Sequence, residues 1–557
     1  MYRILSCVLI VFLFSYCVRK PTSQSVHPSI SNPSKVTYKN KPVKNLFDSV
    51  NLKVVQQIQQ IQKNQFITEN KVADYSKRLS AIYGLNNNQT FWLSPNRIDE
   101  VLKVLKESST DGLNPDDYQY TVLFTSYNKL KEKNDNVQQA FDLEVLLTYN
   151  LLKYSRHMIQ GKVNPTAVFS EWNYPLRSEN SISDTLFAKI FSGKLDLLID
   201  NIRPNHPIYK SLQGTLGQID TMEVSEINWQ IIKYTGSPLQ IGDTALSLIE
   251  VKKHLRALGI YHTDSIDFLF DKGLGESIKD FQKHSGISST GILDKKTLNA
   301  LNFTLPELRN TVLANLERSR WILHDLPNDY IWVNIADYTL THIKNNKEVY
   351  KEAVIVGKEV HQTPVFEALL TYIEFNPYWT VPASIAIKEI LPQLKLHPDY
   401  LVKHNMQLYM NNDSVASPSS FASYDETNFP FTIKQKPGDD NSLGKVKFIF
   451  PNPYSVYLHD TPSKYLFAKD QRTFSHGCIR LKNPINFAYH LLSQQGYTSS
   501  QISEIVYSGK NQVISLDTKI PIMIIYFTCY SKSGDKHMYF LKDIYGNDQK
   551  IVQLLNK

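Results

Sequence analysis

The chain has 557 residues, enough for three or four folded domains. Apolar residues make up 42% and charged residues 20%, which excludes a largely disordered chain, and 21 Gly and 26 Pro without a repeat exclude a collagen-like protein. The 61 Lys and Arg exceed the 53 Asp and Glu by only eight, and no long basic block is present, so no nucleic acid partner is expected.

The N-terminus carries an apolar run at 4–18 between Arg3 and the pair Arg19 and Lys20. A bilayer crossing needs about 20 residues, so this pattern favours an export signal or a short anchor at 1–19. Residues 13–17 resemble a degenerate lipoprotein box, which makes Cys17 a candidate for lipidation. The polar stretch 20–45 is typical of a flexible linker. We therefore expect an exported protein of the periplasm or cell envelope, anchored to a membrane at most through its N-terminus.

Only two cysteines, Cys478 and Cys529, lie outside this segment, which excludes a scaffold built on disulfides. Both are interpreted either as buried apolar residues or as a pair. The alternative is that one thiol stays free because it reacts.

The patterning predicts a multidomain α+β protein. Residues 46–240 show apolar positions three and four apart, which predicts a helical scaffold domain, and 241–302 predict a compact three-helix module. A connecting helix is expected at 303–324. From about residue 325 the period changes to two, which predicts a β-rich catalytic domain to residue 545, with an inserted cap at about 384–444 and a tail at 546–557.

The predicted module at 241–302 resembles the peptidoglycan-binding domain 1 family. The resemblance rests on Leu255, Leu258, Gly259, Phe281, Gln282, Gly286, Gly291, Thr297 and Leu298. It implies docking on peptidoglycan, although such a module inside a larger chain can be purely structural.

The residues that indicate chemistry are His459 and, sixteen positions after it, the run Ser475-His476-Gly477-Cys478. A thiol attacks a carbonyl carbon as thiolate, so a nucleophilic cysteine needs a nearby base such as His459. Gly477 allows a tight turn that presents the amides of 476–478 to an oxyanion. Arg480 is expected to bind a substrate carboxylate or to organise the loop. A structural cysteine and a zinc site of His459, His476 and Cys478 are the alternatives, but no HExxH or CxxC pattern supports zinc.

Across residues 320–545 the chain resembles a YkuD-type L,D-transpeptidase catalytic domain of the large periplasmic kind. Besides His459 and the Ser-His-Gly-Cys run, the resemblance rests on 356–357, 363–366, 375–382, 436–438, 450–452 and Arg480. It implies that Cys478 attacks a tetrapeptide stem and releases D-Ala, with His459 as base and 476–478 as oxyanion donors. The amine of a second stem then forms a 3-3 cross-link.

The same resemblance implies that Tyr457 and Trp379, with Ser475 and Arg480, line the substrate site, that carbapenems acylate Cys478, and that no metal or organic cofactor is needed. Its partners would be peptidoglycan stem peptides and glycan strands, with a wall synthase or a carboxypeptidase as candidate protein partners. Three rival functions remain: an L,D-carboxypeptidase that uses water, an enzyme that attaches a lipoprotein to the wall, and a wall-binding protein without catalysis.

Overall fold

The computed structural model describes residues 48–62, 75–132, 136–178, 181–224, 230–263, 266–410, 414–532 and 537–557. The expected signal or anchor at 1–19, with Cys17, and the linker at 20–45 lie outside these residues. Within the described ranges, no helix is both long enough and apolar enough to cross a bilayer.

Residues 48–224 form a helical region, as the apolar spacing predicts. Its helices are α1 (Asp48–Gln62), α2 (Ser76–Leu85), α3 (Pro95–Glu107), α4 (Tyr120–Glu132), α5 (Val137–Gln160), α6 (Asp184–Ser192), α7 (Asp196–Ile202) and α8 (Pro207–Val224). Helix α5 is its central element, since Leu147, Leu151 and Tyr154 recur at helical spacing and are fully buried. The Asn136 side chain caps α5 by accepting a hydrogen bond from the Gln139 amide.

The three-helix module is confirmed as α9 (Ser247–Ala257), α10 (Lys272–His284) and α11 (Lys295–Leu301). Asp271 and Asp294 cap α10 and α11, because each carboxylate accepts a backbone N–H three residues further on. The module has an apolar core of its own, which includes Leu248, Val251, Leu255, Phe270, Leu274, Ile278, Leu293 and Leu301.

Helix α12 (Leu305–Ile322) joins the helical region to the β-rich domain. Thr304 and Glu307 form a reciprocal capping box at its start, and Pro306 sits in the first turn.

The β-rich domain contains the longest sheet of the described chain. In chain order the strands are β1 (Asp329–Asn334), β2 (Thr339–Lys344), β3 (Lys347–Gly357), β4 (Phe366–Phe375), β5 (Trp379–Thr380), β6 (Met406–Met410), β7 (Ser414–Ala416), β8 (Phe431–Gln435), β9 (Val446–Ile449), β10 (Leu458–His459), β11 (Thr473–Ser475), β12 (Ile479–Leu481), β13 (Gln512–Ile525), β14 (Cys529–Tyr530) and β15 (Tyr539–Phe540). Nine of them form one sheet in the order β11-β3-β12-β10-β9-β4-β13-β1-β2. Because β2 also pairs with β3, this sheet closes on itself and leaves few open edges.

The segment between β4 and β9 forms a separate subdomain, the cap. Strands β5-β8-β6-β7 make a four-stranded antiparallel sheet. Helix α13 (Ala383–Ile385), a π-helical turn (Ala386–Ile390), α14 (Leu391–Leu396) and α15 (Tyr400–Lys403) accompany this sheet. The cap has its own buried apolar cluster around Ile390, Leu408 and Ile433. An insertion between strands is therefore present in the region where the sequence predicted one.

The last residues form a helix where the sequence analysis expected only a tail at 546–557. Helices α16 (Pro484–Leu492), α17 (Ser499–Tyr507) and α18 (Asn547–Leu555) follow the cap in the chain. Helix α18 packs against α12. Its Ile551 is fully buried and its Asp548 forms an ion pair with Arg318, contacts that a nine-residue pattern does not disclose. The fold class, helices followed by a β-rich domain, is confirmed.

Candidate active site

Two short parallel strands bring the predicted site residues to one face of the sheet. Leu458 of β10 pairs with Ile479 of β12, and His459 pairs with Arg480. Because side chains alternate along a strand, His459 and Arg480 share one face, while Leu458 and Ile479 are fully buried on the other. The Ile479 amide donates to the Tyr457 carbonyl, so Tyr457 and Cys478 continue the same pairing by one residue.

His459 is a buried imidazole with a fixed orientation. Its Nδ1 lies 2.6 Å from the carbonyl oxygen of Asp460. A carbonyl only accepts, so Nδ1 carries the proton and Nε2 keeps its lone pair. The pKa of His459 is lowered to about 3, mainly by burial. The positive charge of Arg480 also lowers this pKa, and its effect is larger than the opposite effect of the hydrogen bond to Asp460. The imidazole is therefore neutral and able to accept a proton.

The side chain of Asp460 holds the turn that supplies this carbonyl. Its carboxylate accepts the amides of Lys445 at 2.8 Å and Thr461 at 2.7 Å, and it pairs with Lys464 Nζ at 2.6 Å. Gly444 packs directly on it: a Cβ there would lie 2.3 Å from Asp460 Oδ2, and the φ of Gly444 is 61°. The orientation of His459 thus depends on a buried carboxylate that does not touch the imidazole through its own oxygens.

Cys478 is a half-buried free thiol beside Tyr457. Its Sγ lies 3.7 Å from the Ser455 carbonyl oxygen, to which the S–H donates. Burial raises the pKa of Cys478, whereas hydrogen bonds from Tyr457 and the charges of Lys447 and Arg480 lower it. The net direction is upward, so the resting sulfur is a thiol.

The loop before Cys478 is shaped by Ser475 and Gly477. Ser475 is buried, and its Oγ accepts the Gly477 amide at 3.2 Å and donates to the Cys478 carbonyl. Gly477 has a φ of 112°, a conformation that side chains disfavour, and its carbonyl accepts from Thr363 Oγ1 at 2.8 Å. Ser475 therefore organises the loop, and the substrate contact expected of it stays a prediction.

The amides of the loop differ in their availability as oxyanion donors. The Gly477 amide is committed to Ser475 Oγ. Among the described residues, the Cys478 amide donates to no acceptor. Of the three amides expected to bind an oxyanion, the one at Cys478 is thus open to a ligand.

His476 faces the cap. Its Nε2 lies 2.8 Å from Glu389 Oε1, on the π-helical turn, and its ring centre lies 5.2 Å from that of His361. The oxyanion role expected at residue 476 belongs to its backbone amide, and this side-chain contact does not bear on it. The pair with Glu389 instead ties the cap to the loop that carries Cys478.

Lys447 completes the site and was missed by the sequence analysis. It pairs with His459 across β9 and β10 and with Glu374 across β4 and β9. Its Nζ lies 4.3 Å from the ring centre of Tyr457, and burial lowers the pKa of its ammonium group. The alternation in 446–449, with Val446 and Phe448 fully buried, was the available signal that Lys447 points to the other face.

Arg480 and Trp379 border the same space. Burial lowers the pKa of Arg480, its Nε is buried without a hydrogen-bond partner, and it forms no ion pair with a described acidic residue. Trp379 starts the cap at β5 and interacts with the Tyr457 hydroxyl. A guanidinium without an acidic partner near the Cys478 thiol suits an anionic ligand.

The zinc alternative does not fit the described residues. Three candidate ligand atoms come within 4.8 Å of one another at Asp280, His284 and His537, and not at His459, His476 and Cys478. The residues around Cys478 are a thiol, an imidazole and an amide without an acceptor, which are the kinds of group that acyl transfer uses.

Family models match most of the folded part of the chain. Residues 328–499 match the L,D-transpeptidase catalytic domain (YkuD), residues 77–216 match a scaffold domain, and residues 245–301 match the model described as "Putative peptidoglycan binding domain". The order of the three matches follows the order of the domains described above.

A curated relative from Haemophilus influenzae is named "Putative L,D-transpeptidase". It is 30% identical over 266 residues, which cover 46% of this chain and 53% of the relative. The chain thus spans about half the length of the curated relative it matches.

Solved L,D-transpeptidase structures also align with this chain, at low similarity. The Xylanimonas cellulosilytica structure is 11% identical, with 53% of this chain and 100% of that chain covered and a TM-score of 0.16. The Stackebrandtia nassauensis structure is 14% identical, with 52% and 94% covered and a TM-score of 0.21. The chain carries an L,D-transpeptidase catalytic domain of the YkuD family, together with a scaffold domain and a peptidoglycan-binding domain.

Proposed function

We propose that this protein is a peptidoglycan L,D-transpeptidase that forms 3-3 cross-links through a thioester on Cys478. The observation that supports this most is the parallel pairing of β10 with β12, which puts Tyr457, His459, Cys478 and Arg480 on one face. The YkuD match over 328–499 includes all four residues.

In the first step, Nε2 of His459 takes the proton of Cys478 as the sulfur attacks the carbonyl carbon before the terminal D-Ala of a tetrapeptide stem. The negative oxygen that forms is bound by the Cys478 amide, which is open to a ligand. The intermediate then expels D-Ala, whose amine takes the proton back from His459. A thioester remains on the sulfur.

In the second step, the side-chain amine of another stem attacks the thioester. His459 removes a proton from this amine and returns it to the departing sulfur, which restores the thiol. The product is an amide between two stems. Because His459 is neutral before each step, one imidazole serves as base and then as acid in both.

The Asp460 carbonyl is the third member of this arrangement. It holds the imidazole through Nδ1, as a carboxylate does in other nucleophile and base pairs. A neutral carbonyl stabilises an imidazolium less than a carboxylate does. This agrees with a base whose charge appears only during the transfer.

Substrate contacts are assigned from charge and position. Arg480, without an acidic partner, is proposed to bind the terminal carboxylate of the donor stem. Tyr457 and Trp379 are proposed to line the donor position, since Tyr457 lies beside Cys478 and its hydroxyl interacts with Trp379 of the cap. Lys447 is proposed to favour the thiolate through its charge.

The domain set points to the cell envelope as the site of action. We propose that the N-terminal apolar segment exports or anchors the protein and that the module at 245–301 docks on the wall. Cys17 is the candidate site of lipidation. A wall synthase or a carboxypeptidase is the proposed partner class, since each produces or trims stems.

The proposal is tested by incubating the full chain with purified tetrapeptide muropeptides and analysing the products by mass. Wild type is expected to give 3-3 dimers with release of D-Ala, whereas Cys478→Ala gives neither. Cys529→Ser is the matched control, because Cys529 is fully buried in β14 away from the sheet face. Tripeptide monomers alone would show a carboxypeptidase, and dimers from Cys478→Ala would refute the thioester.

A further inference from the structure

Thr363 contacts the loop that carries Cys478 from the segment between β3 and β4. Its Oγ1 accepts the Gly357 amide at 2.9 Å and donates to the Gly477 carbonyl oxygen at 2.8 Å. A hydroxyl group has a single hydrogen and a backbone amide only donates, so this hydrogen must point at the Gly477 carbonyl. Both hydrogen bonds of the Thr363 hydroxyl therefore have a fixed direction, and they tie the end of β3 to the loop.

The carbonyl that Thr363 holds belongs to the same peptide unit as the Cys478 amide. This unit is planar and trans, so its C=O and N–H groups point in opposite directions. Thr363 bonds the carbonyl end, while the amide end donates to no acceptor among the described residues. The hydrogen bond from Thr363 thus sets the direction of the N–H group that is proposed to bind the oxyanion.

Ser475 holds the two neighbouring peptide units and not this one. Its Oγ accepts the Gly477 amide, which belongs to the preceding unit, and donates to the Cys478 carbonyl, which belongs to the following unit. The unit between them is bonded by Thr363. Because Gly477 lacks a Cβ, this unit could rotate between its neighbours if the bond to Thr363 were lost.

Tyr545 holds Thr363 in turn, from a position beyond the residues 328–499 that match the catalytic-domain model. Its hydroxyl donates to the Gly357 carbonyl at 2.7 Å and accepts the Thr363 amide at 3.2 Å. The Tyr545 ring stacks on Tyr526 with ring centres 5.5 Å apart, and the Tyr545 amide donates to the Tyr526 hydroxyl at 2.9 Å. The Tyr545 hydroxyl therefore fixes the backbone on both sides of the contact between Gly357 and Thr363.

This network is buried and has little room to adjust. Thr363 is 2% exposed and Tyr545 is 5% exposed, and Gly357 and Gly477 are buried as well. A Cβ at Gly357 would lie 2.1 Å from the His361 carbonyl oxygen and 2.8 Å from the Thr363 nitrogen, so the two backbone segments are in direct contact. A buried carbonyl that loses its only donor is costly, so the loop is expected to rearrange when the Thr363 hydroxyl is removed.

We propose that Thr363, held by Tyr545, is a positioning residue that directs the Cys478 amide at the oxyanion of acyl transfer. Thr363 acts through the peptide unit between Gly477 and Cys478 and makes no contact with the reacting atoms. The inference rests on the proposed function, because an oxyanion forms only if Cys478 attacks a carbonyl group.

The test compares two reactions of the same sulfur in the full chain, each followed by intact mass over time. Acylation by a carbapenem passes through an oxyanion, whereas alkylation by iodoacetamide displaces iodide and forms none. A change in the pKa of Cys478 would alter both rates alike. Thr363→Val keeps the size of the side chain and removes its hydroxyl. Since loss of an oxyanion donor costs about a hundredfold in rate or more, acylation should fall at least about tenfold while alkylation stays within about twofold.

Three further variants accompany Thr363→Val. Thr363→Ser restores the hydroxyl and is expected to recover most of the acylation rate. Tyr545→Phe removes the hydroxyl that holds Thr363, so it should also lower acylation and spare alkylation, and it serves if Thr363→Val fails to fold. Thr215→Val is the matched control, because Thr215 likewise donates to a backbone carbonyl, that of Ser211 at 2.9 Å, but lies in α8; it should keep both rates.

The outcomes separate this inference from the proposed function. A wild type that is alkylated but never acylated would overturn the proposed function and the role of Thr363 with it. If the wild type is acylated and the Val and Phe variants are acylated as fast, the function stands and the role of Thr363 is overturned. Equal falls in acylation and alkylation would also overturn it, because Thr363 would then only maintain the fold of the loop.

Discussion

His459 and Arg480 are direct partners in the parallel pairing of β10 with β12, so the base of the proposed reaction lies beside a permanent cation. This neighbour lowers the pKa of His459, in addition to the effect of burial. It also favours the thiolate of Cys478. The same guanidinium therefore opposes a protonated imidazole and supports a charged sulfur.

The first prediction concerns the pH dependence of Cys478. The pKa of Cys478 is raised and that of His459 is about 3. At any pH between these two pKa values the thiol and the imidazole are therefore both neutral, and no thiolate–imidazolium pair exists. Alkylation by iodoacetamide reports the thiolate, so its rate should rise steadily from pH 6 into the alkaline range. Intact mass over time at each pH measures it, with Cys478→Ala as blank. A rate plateau between pH 5 and 7 would instead show a preformed ion pair.

The second prediction concerns Lys447. Lys447→Met removes a positive charge that lowers the pKa of Cys478, so the alkylation profile should move to higher pH. At pH 7.5 a fall in rate of about threefold to tenfold is expected, because one pKa unit is tenfold in thiolate. Lys447→Arg keeps the charge and should stay near wild type. If the alkylation profiles of the Met and Arg variants overlap, the charge of Lys447 does not affect the ionisation of Cys478.

The pair His459 and Cys478 could be predicted because both stand in short runs with clear motifs, whereas Lys447 and Asp460 could not. Lys447 lies in the site because its strand, β9, is placed between β4 and β10 in the sheet. The spacing of residues along the chain does not tell which strands become neighbours. The helix at Asn547–Leu555 was missed because its three buried apolar residues form too short a pattern. The contact of His476 with Glu389 could not be predicted either, because Glu389 comes from an insertion 87 residues earlier in the chain.

The third prediction concerns Arg480. Arg480→Gln should raise KM for a tetrapeptide donor about ten- to hundredfold, as expected for loss of a charge-assisted hydrogen bond of about 1.5–3 kcal/mol. Steady-state release of D-Ala measures it. A donor with an amidated C-terminus is the matched control, because wild type and variant should differ much less on it. If KM rises equally for both donors, Arg480 acts on the Cys478 sulfur and not on the terminal carboxylate of the donor.

The fourth prediction concerns Gly444, which packs against Asp460. Gly444→Ala places a methyl group 2.3 Å from Asp460 Oδ2 at a φ of 61°, so both the positive φ and the clash oppose the fold. Gly509→Ala has a similar φ of 67° with nothing within 4 Å, so it carries only the backbone cost of about 1–2 kcal/mol. The Gly444 variant should therefore melt at a lower temperature than the Gly509 variant. Because the displaced Asp460 also moves the carbonyl that orients His459, its rate of acylation by a carbapenem should fall about tenfold or more, while Gly509→Ala keeps the wild-type rate. Equal acylation rates for the two folded variants would mean that the Asp460 turn does not position the imidazole.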